Sequence, residues 1–221
     1  MRTKTLLVTA ALAAAGVATS MAQSNVYSLN VVGYVNVPVA NGFSLIQNPL
    51  NVASGNSLES TIGTNCLDGT TVYQYDNASH SYSAVATFIA QGANIWDGPV
   101  TLNPGEGFFI YSPGAQTLTF TGEVLQGNLT NSIPNGFSIK ASQVPQGGGL
   151  ISSLGMQVKD QDTVYTFANG QYSLNTYYAS PTVPAGAEFW DGGTEPVLAV
   201  GESFFILTSS SYKWTRTFNV Q

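Results

Sequence analysis

The sequence predicts an all-β protein made of two tandem copies of one β-sandwich or barrel-like domain, each about 95 residues long. Three observations carry that prediction: words that recur in a fixed order, strand-like alternation, and Gly/Asn/Asp/Pro punctuation. Asn41-Gly42-Phe43-Ser44 recurs as Asn135-Gly136-Phe137-Ser138, and Thr71-Val72-Tyr73 as Thr163-Val164-Tyr165. Trp96-Asp97-Gly98 recurs as Trp190-Asp191-Gly192, and Gly105-Glu106-Gly107-Phe108-Phe109-Ile110 as Gly201-Glu202-Ser203-Phe204-Phe205-Ile206. The offsets are 94, 92, 94 and 96 residues, a drift that short loop insertions explain.

The first element is a predicted secretory signal over residues 1–22. Arg2 and Lys4 precede an apolar run from Leu6 to Val17, and Ser20-Met21-Ala22 gives a small-x-small cleavage pattern before Gln23. The run is shorter than the ~20 residues of a spanning helix, and no later segment approaches that length. The expected location is therefore exported: periplasmic, cell-surface or extracellular, with no transmembrane segment in the mature chain.

The first copy is expected over 23–124 and the second over 125–221. Val31, Gly33, Val35, Val37 and Val39 fall on one face of a strand, and Asn41-Gly42 then predicts a tight hairpin into Phe43-Ser44-Leu45-Ile46. Leu125, Gly127, Leu129, Asn131 and Ile133 with Asn135-Gly136 repeat the pattern. Further strands are predicted at Thr71–Tyr75, Tyr82–Phe88, Gly107–Tyr111 and Thr117–Val124. Their counterparts are Thr163–Phe167, Tyr172–Tyr178, Ser203–Thr208 and Lys213–Val220. Short helices are predicted at Ser57–Ile62 and Leu150–Leu154. Each copy is long enough to bury a core, and the 11 Phe, 11 Tyr and 3 Trp supply it.

Gly42 to Leu50 (Gly-Phe-Ser-Leu-Ile-Gln-Asn-Pro-Leu), Val72-Tyr73-Gln74-Tyr75-Asp76 and Pro104-Gly105-Glu106-Gly107-Phe108-Phe109-Ile110 together resemble β-repeat modules in exported proteins of environmental bacteria. The resemblance implies a β fold and an exported setting. It transfers no catalytic residue. The second copy departs from it, with Lys140-Ala141-Ser142-Gln143-Val144-Pro145 in place of the Leu-Ile-Gln-Asn-Pro stretch.

Charge narrows the function classes. Removal of residues 1–22 leaves four bases against twelve acids, and no Lys or Arg lies between Gln23 and Val124. Such a chain releases few counterions from a phosphate backbone, which argues against nucleic acid as a partner. Charged residues make up only 8% of the chain, against roughly a quarter in ordinary domains, so the surface polarity rests on neutral groups.

The candidate ligand-binding residues are Trp96, Asp97, Trp190 and Asp191, because a loop Trp can stack on a sugar ring while Asp accepts from its hydroxyls. The sequence favours the plainer reading of a core Trp followed by an Asp-Gly turn. Glu106 and Glu202 read as turn residues at strand entrances. Asp160-Gln161-Asp162 alternates carboxylates as a Ca²⁺ loop does, without the oxygen-rich cluster that completes one. Cys66 and His80 are each the only residue of their kind, and neither recurs in the other copy. One His and one Cys cannot close a zinc site, and no Gly-x-Ser-x-Gly elbow accompanies His80. No catalytic residue, metal site or cofactor is expected. The expected function is that of an exported structural or surface-interaction protein of the bacterial envelope, partnered by envelope or extracellular protein or polysaccharide. A glycan-binding module using the loop tryptophans is the alternative, and a secreted two-carboxylate glycoside hydrolase a more distant one.

Overall fold

The alternation read from Val31 to Val39 is realised as β1 (Val32–Val39), in a computed structural model that describes residues 31–220. Val37 and Val39 point into a core, while Val32, Tyr34, Asn36 and Pro38 face out. The predicted signal, 1–22, lies outside the described residues. The rest of the first copy comprises β2 (Gly42–Gln47), a one-turn helix α1 (Leu58–Thr61), β3 (Thr71–Asp76), β4 (Ser81–Ile89), β5 (Ile95–Trp96), β6 (Gly107–Ser112) and β7 (Gln116–Glu123). The second copy comprises β8 (Gly127–Ile133), β9 (Gly136–Lys140), β10 (Gly148–Gly149), β11 (Thr163–Ala168), β12 (Gln171–Tyr178), β13 (Phe189–Trp190), β14 (Val197–Leu198), β15 (Phe204–Thr208) and β16 (Tyr212–Phe218). The protein is all-β, as predicted. In the predicted helix at Leu150–Leu154 the chain instead makes a hydrogen-bonded turn.

Both halves have the same strand order. In the first, β2-β6-β3-β4-β5 form one antiparallel sheet and β1-β7 a two-stranded ribbon. In the second, β9-β15-β11-β12-β13 form the sheet and β8-β16 the ribbon, and a short β10-β14 pair is added. Ribbon packs on sheet in each half. Val37, Val39, Leu118 and Phe120 of the first ribbon bury against Ile46, Val72, Phe88, Phe108 and Ile110 of the sheet. Ile133 and Trp214 meet Val164, Phe204 and Ile206 in the same way.

The opening hairpin predicted at Asn41-Gly42 does not form. β1 pairs with β7 and β2 with β6, so the chain passes from ribbon to sheet at this turn. A two-residue type I′ turn needs positive φ at both central residues. Gly42 has φ +96° and Gly136 +87°, but Asn41 and Asn135 are not in the left-handed region. Where both conditions hold, at Asn169 (+53°) and Gly170 (+77°), the predicted β11-β12 hairpin forms, with Ala168 opposite Gln171.

The change in offset from 92 at Thr71/Thr163 to 94 at Trp96/Trp190 has a structural cause. The first copy joins β3 to β4 through the longer turn Asn77–His80, and its ladder carries a register shift at Gln74/Tyr75. The second copy lacks both, then regains length in the longer loop between β12 and β13. The expected boundary at 124/125 falls in the short connection between β7 and β8, and the described residues, 31–220, lie in one compact unit.

Candidate functional site

The Phe-Phe-Ile strands explain what the two halves do to each other. In β6, Phe108 and Ile110 face the first core while Phe109 points to the opposite face of the sheet. In β15, Phe204 and Ile206 face the second core while Phe205 points away. The two outward faces meet in a third apolar cluster of Leu45, Phe109, Ile139 and Phe205, rimmed by Tyr73, Tyr75, Phe137, Tyr165 and Phe167. Each member has its counterpart in the other copy.

Several backbone and ring contacts across this seam occur in reciprocal pairs, as a two-fold relation between the halves gives. The Gln47 N–H donates to the Gly201 carbonyl at 2.9 Å, and the Ala141 N–H to the Gly105 carbonyl at 3.0 Å. Phe109 meets Phe167 edge-on at 5.1 Å, and Phe205 meets Tyr75 edge-on at 5.3 Å. Phe109 and Phe205 approach each other at 6.0 Å. The turn residue Asn77 reaches across, donating to the carbonyls of Asn135 and Phe137.

The one departure inside the repeated Gly-Glu-Gly/Ser word is a seam requirement. A Cβ on Gly107 would sit 2.3 Å from Ile139 Cγ2 and 2.5 Å from Ser203 Cβ, so only one of the two equivalent positions can carry a side chain. Ser203 carries it and donates from Oγ to the Ile46 carbonyl at 2.9 Å. Gly107→Ala is expected to cost about 1–3 kcal/mol through overpacking. Gly33→Ala has open space and should change stability by less than ~0.5 kcal/mol. Urea denaturation of the two variants checks the pair.

The seam leaves two clefts beside its buried centre. One, of about 350 Å³, is lined by Phe43, Tyr73, Tyr82, Phe109, Phe167 and Tyr172. The other, of about 360 Å³, is lined by Tyr75, Phe137, Tyr165, Tyr172, Leu174 and Phe205. They are near-equivalents under the repeat and share Tyr172. Even the ring pairs match: Phe43–Tyr73 stands at 5.8 Å and 53°, Phe137–Tyr165 at 5.6 Å and 52°. Phe43 is 49% exposed, Tyr82 42%, Tyr172 47% and Leu174 56%, which is high for large apolar side chains gathered in one place. Burial and the neighbouring Tyr172 and Tyr75 push the Tyr82 hydroxyl up to about 12, so it is a hydrogen-bond donor at every physiological pH.

The residues singled out from sequence lie elsewhere and are structurally engaged. Trp96 and Trp190 are only 5% and 6% exposed. Trp96 packs on Phe88 and donates from Nε1 to the Gly63 carbonyl at 2.9 Å, and Trp190 packs on Tyr177. Neither offers an open ring face to a sugar, which corrects the stacking-platform reading. Asp97 Oδ1 accepts the Thr87 N–H at 2.6 Å, and Asp191 Oδ1 accepts the Thr176 N–H at 2.8 Å. Trp-Asp-Gly is thus a clamp that closes β4 and β12 at the same point in each copy.

Glu202 Oε2 accepts the Ala199 N–H at 2.8 Å, and Glu106 Oε2 accepts from Asn103 Nδ2 at 3.3 Å, the turn role expected of both. Asp160 accepts from the Thr182 hydroxyl and the Ala179 N–H, which together lower its pKa. Asp162 Oδ2 accepts from the Tyr212 hydroxyl at 2.7 Å and the Lys159 N–H at 2.9 Å. No group of three or more His, Cys, Asp or Glu among the described residues is placed to hold a metal ion. His80 sits at the β3-β4 turn with φ +53°, its Nδ1 3.4 Å from the Tyr75 hydroxyl.

Cys66 is half-buried against the first core, and burial pushes its thiol up to about 12. Thiolate is the reactive form. Iodoacetamide at pH 8 is expected to label native protein at least about tenfold more slowly than protein unfolded in urea; equal rates would contradict the buried thiol.

No family model, curated protein or solved structure matches the chain. Among the described residues no helix is long and apolar enough to cross a membrane.

The seam clefts were missed in the sequence because the reading tied each apolar run to a single core. The signal was present in Phe108-Phe109-Ile110 and Phe204-Phe205-Ile206, which are apolar without alternation. Strands buried on both faces read in that way.

Proposed function

We propose that this chain is an exported, non-catalytic interaction protein of the bacterial envelope, and that it engages its partner through the aromatic clefts of the seam. The observation that carries the reading is the pair of matched clefts, where exposed aromatic side chains from both copies converge. Monomeric proteins seldom leave such rings together in water without a use for them. Aromatic side chains also give large contact area at a low entropic cost per ring. The low overall charge supports the same reading, since a surface with few ions carries little desolvation penalty when covered.

The test is co-sedimentation of the exported chain with an envelope fraction. Wild-type protein is expected to pellet with the fraction, and the Tyr82→Ala/Tyr172→Ala double variant to remain in the supernatant. A folded double variant that pellets as wild type does would remove the clefts from the interaction. A wild-type protein that never pellets and stays monomeric would sink the proposal. N-terminal sequencing of the same preparation is expected to begin at Gln23, which checks export and signal removal together.

A further inference from the structure

We infer that the open edge of β2 is a strand-addition site, and that its occupant is an extended segment of a partner polypeptide with alternate apolar residues and one basic residue. This site goes beyond the aromatic clefts and does not depend on them.

The two halves reveal it by their difference. β2 and β9 are the edge strands of their sheets. The Leu45 carbonyl accepts from the Ser203 N–H at 3.3 Å and the Gln47 N–H donates to the Gly201 carbonyl, so both residues turn their backbone groups away from β6. Alternation puts the N–H and C=O of Phe43 on the same side. In the second copy that side is covered. Asn77, from the four-residue turn between β3 and β4, donates from Nδ2 to the carbonyls of Asn135 and Phe137. A Cβ on Gly136 would stand 3.7 Å from Asn77 Nδ2 and 3.7 Å from His80 Cε1. The first copy has the equivalent carbonyls on Asn41 and Phe43, but the turn beside them is the two-residue Asn169-Gly170. It falls short. No described residue donates to either carbonyl, and a Cβ on Gly42 would meet nothing within 4 Å.

A groove of about 610 Å³ remains between the β2 edge and this short turn. Six consecutive residues, 41–46, line it, as happens where the edge of a strand borders a cavity rather than its face. Uncovered edges of this kind template another strand. A residue placed antiparallel and opposite Phe43 would exchange two N–H···O bonds with it, and the residue two further on would donate to the Asn41 carbonyl. Side chains of the added strand would alternate between Phe43 and Phe167 on one face of the sheet and Val37 on the other, which selects apolar residues. The only charged side chain in the lining is Glu202, so a basic residue complements it.

Fluorescence anisotropy of a labelled seven-residue peptide, alternating Val and Thr around a central Lys, tests the inference on the exported chain. The peptide is expected to bind. Its fully N-methylated analogue, which keeps the side chains but cannot donate from its backbone, is not. Thr in place of Lys is expected to weaken binding about two- to fivefold. Glu202→Gln, which keeps an acceptor for the Ala199 N–H, should erase that difference. Amide exchange followed by NMR is expected to slow about tenfold or more at the Phe43 N–H on saturation with peptide. Replacing Asn169-Gly170 with the four residues of the first-copy turn should cover the edge and abolish binding. Val200→Trp, which fills the groove from its wall, should do the same. Near-ultraviolet circular dichroism confirms that each variant is folded.

Equal binding of the N-methylated analogue, binding that survives in either folded groove variant, or no binding up to about 1 mM peptide overturns the inference. So does an unchanged Phe43 amide in the saturated complex. Loss of peptide binding in the folded Tyr82→Ala/Tyr172→Ala variant would place the peptide in the aromatic clefts; the β2 site then falls and the cleft reading stands. Co-sedimentation that fails while the peptide still adds to β2 removes the cleft reading and leaves this one.

Discussion

Phe109→Ala is expected to destabilise the protein by about 3–5 kcal/mol, and Phe205→Ala by a similar amount. Both rings are nearly buried, at 6% and 8% exposure, although neither belongs to the core of its own copy. Truncating either opens a cavity at the centre of the seam, walled by Leu45, Ile139 and the opposing ring, and rigid sheets on both sides limit its collapse. Because the two rings touch at 6.0 Å, the double variant should cost less than the sum of the singles, by about 0.5–1.5 kcal/mol. Urea denaturation followed by tyrosine and tryptophan fluorescence gives all four free energies. The same curves report on cooperativity. With the seam intact, one transition is expected for both halves. Additivity within about 0.3 kcal/mol, or two separate transitions in the wild type, would mean that the copies unfold independently.

That experiment addresses the relation the sequence conveyed least. The strands were legible because period-2 alternation and turn residues act locally: β3, β4, β6, β7 and their counterparts lie within two residues of where the pattern puts them. Strand partners were not legible at Asn41-Gly42, because the dipeptide permits a I′ hairpin without requiring one. The decision rests with Val37, Val39, Leu118 and Phe120, which bury together only if β1 leaves β2 and pairs with β7. Here tertiary burial overrides turn propensity.

The site was still less legible, for a related reason. Repetition shows that a residue is needed in both copies and does not distinguish a core from an interface. Trp96 and Trp190 recur because each copy has a core to close. Phe109 and Phe205 recur because the copies face each other. Tyr82 and Tyr172 open matching strands in the sequence, but nothing in the pattern shows that both side chains turn toward the other copy rather than toward solvent.

Trp96→Ala and Trp190→Ala separate the two roles most sharply. Each is expected to cost about 3–5 kcal/mol, a large part of the ~5–15 kcal/mol that stabilises a native protein. Trp96 should sit at the upper end, because its loss also leaves the Gly63 carbonyl without its indole donor in a partly buried site. Phe88 would face the vacancy left by one indole and Tyr177 that left by the other. The clamp would loosen too, since Asp97 and Asp191 hold the Thr87 and Thr176 N–H groups only while the preceding indole anchors the loop. Thermal unfolding measures the loss. Variants that keep wild-type stability yet no longer pellet with the envelope fraction would return the tryptophans to a ligand-binding role. Unfolding at a much lower temperature, together with the folded but non-binding Tyr82→Ala/Tyr172→Ala variant, would assign the core to Trp-Asp-Gly and the ligand to the seam.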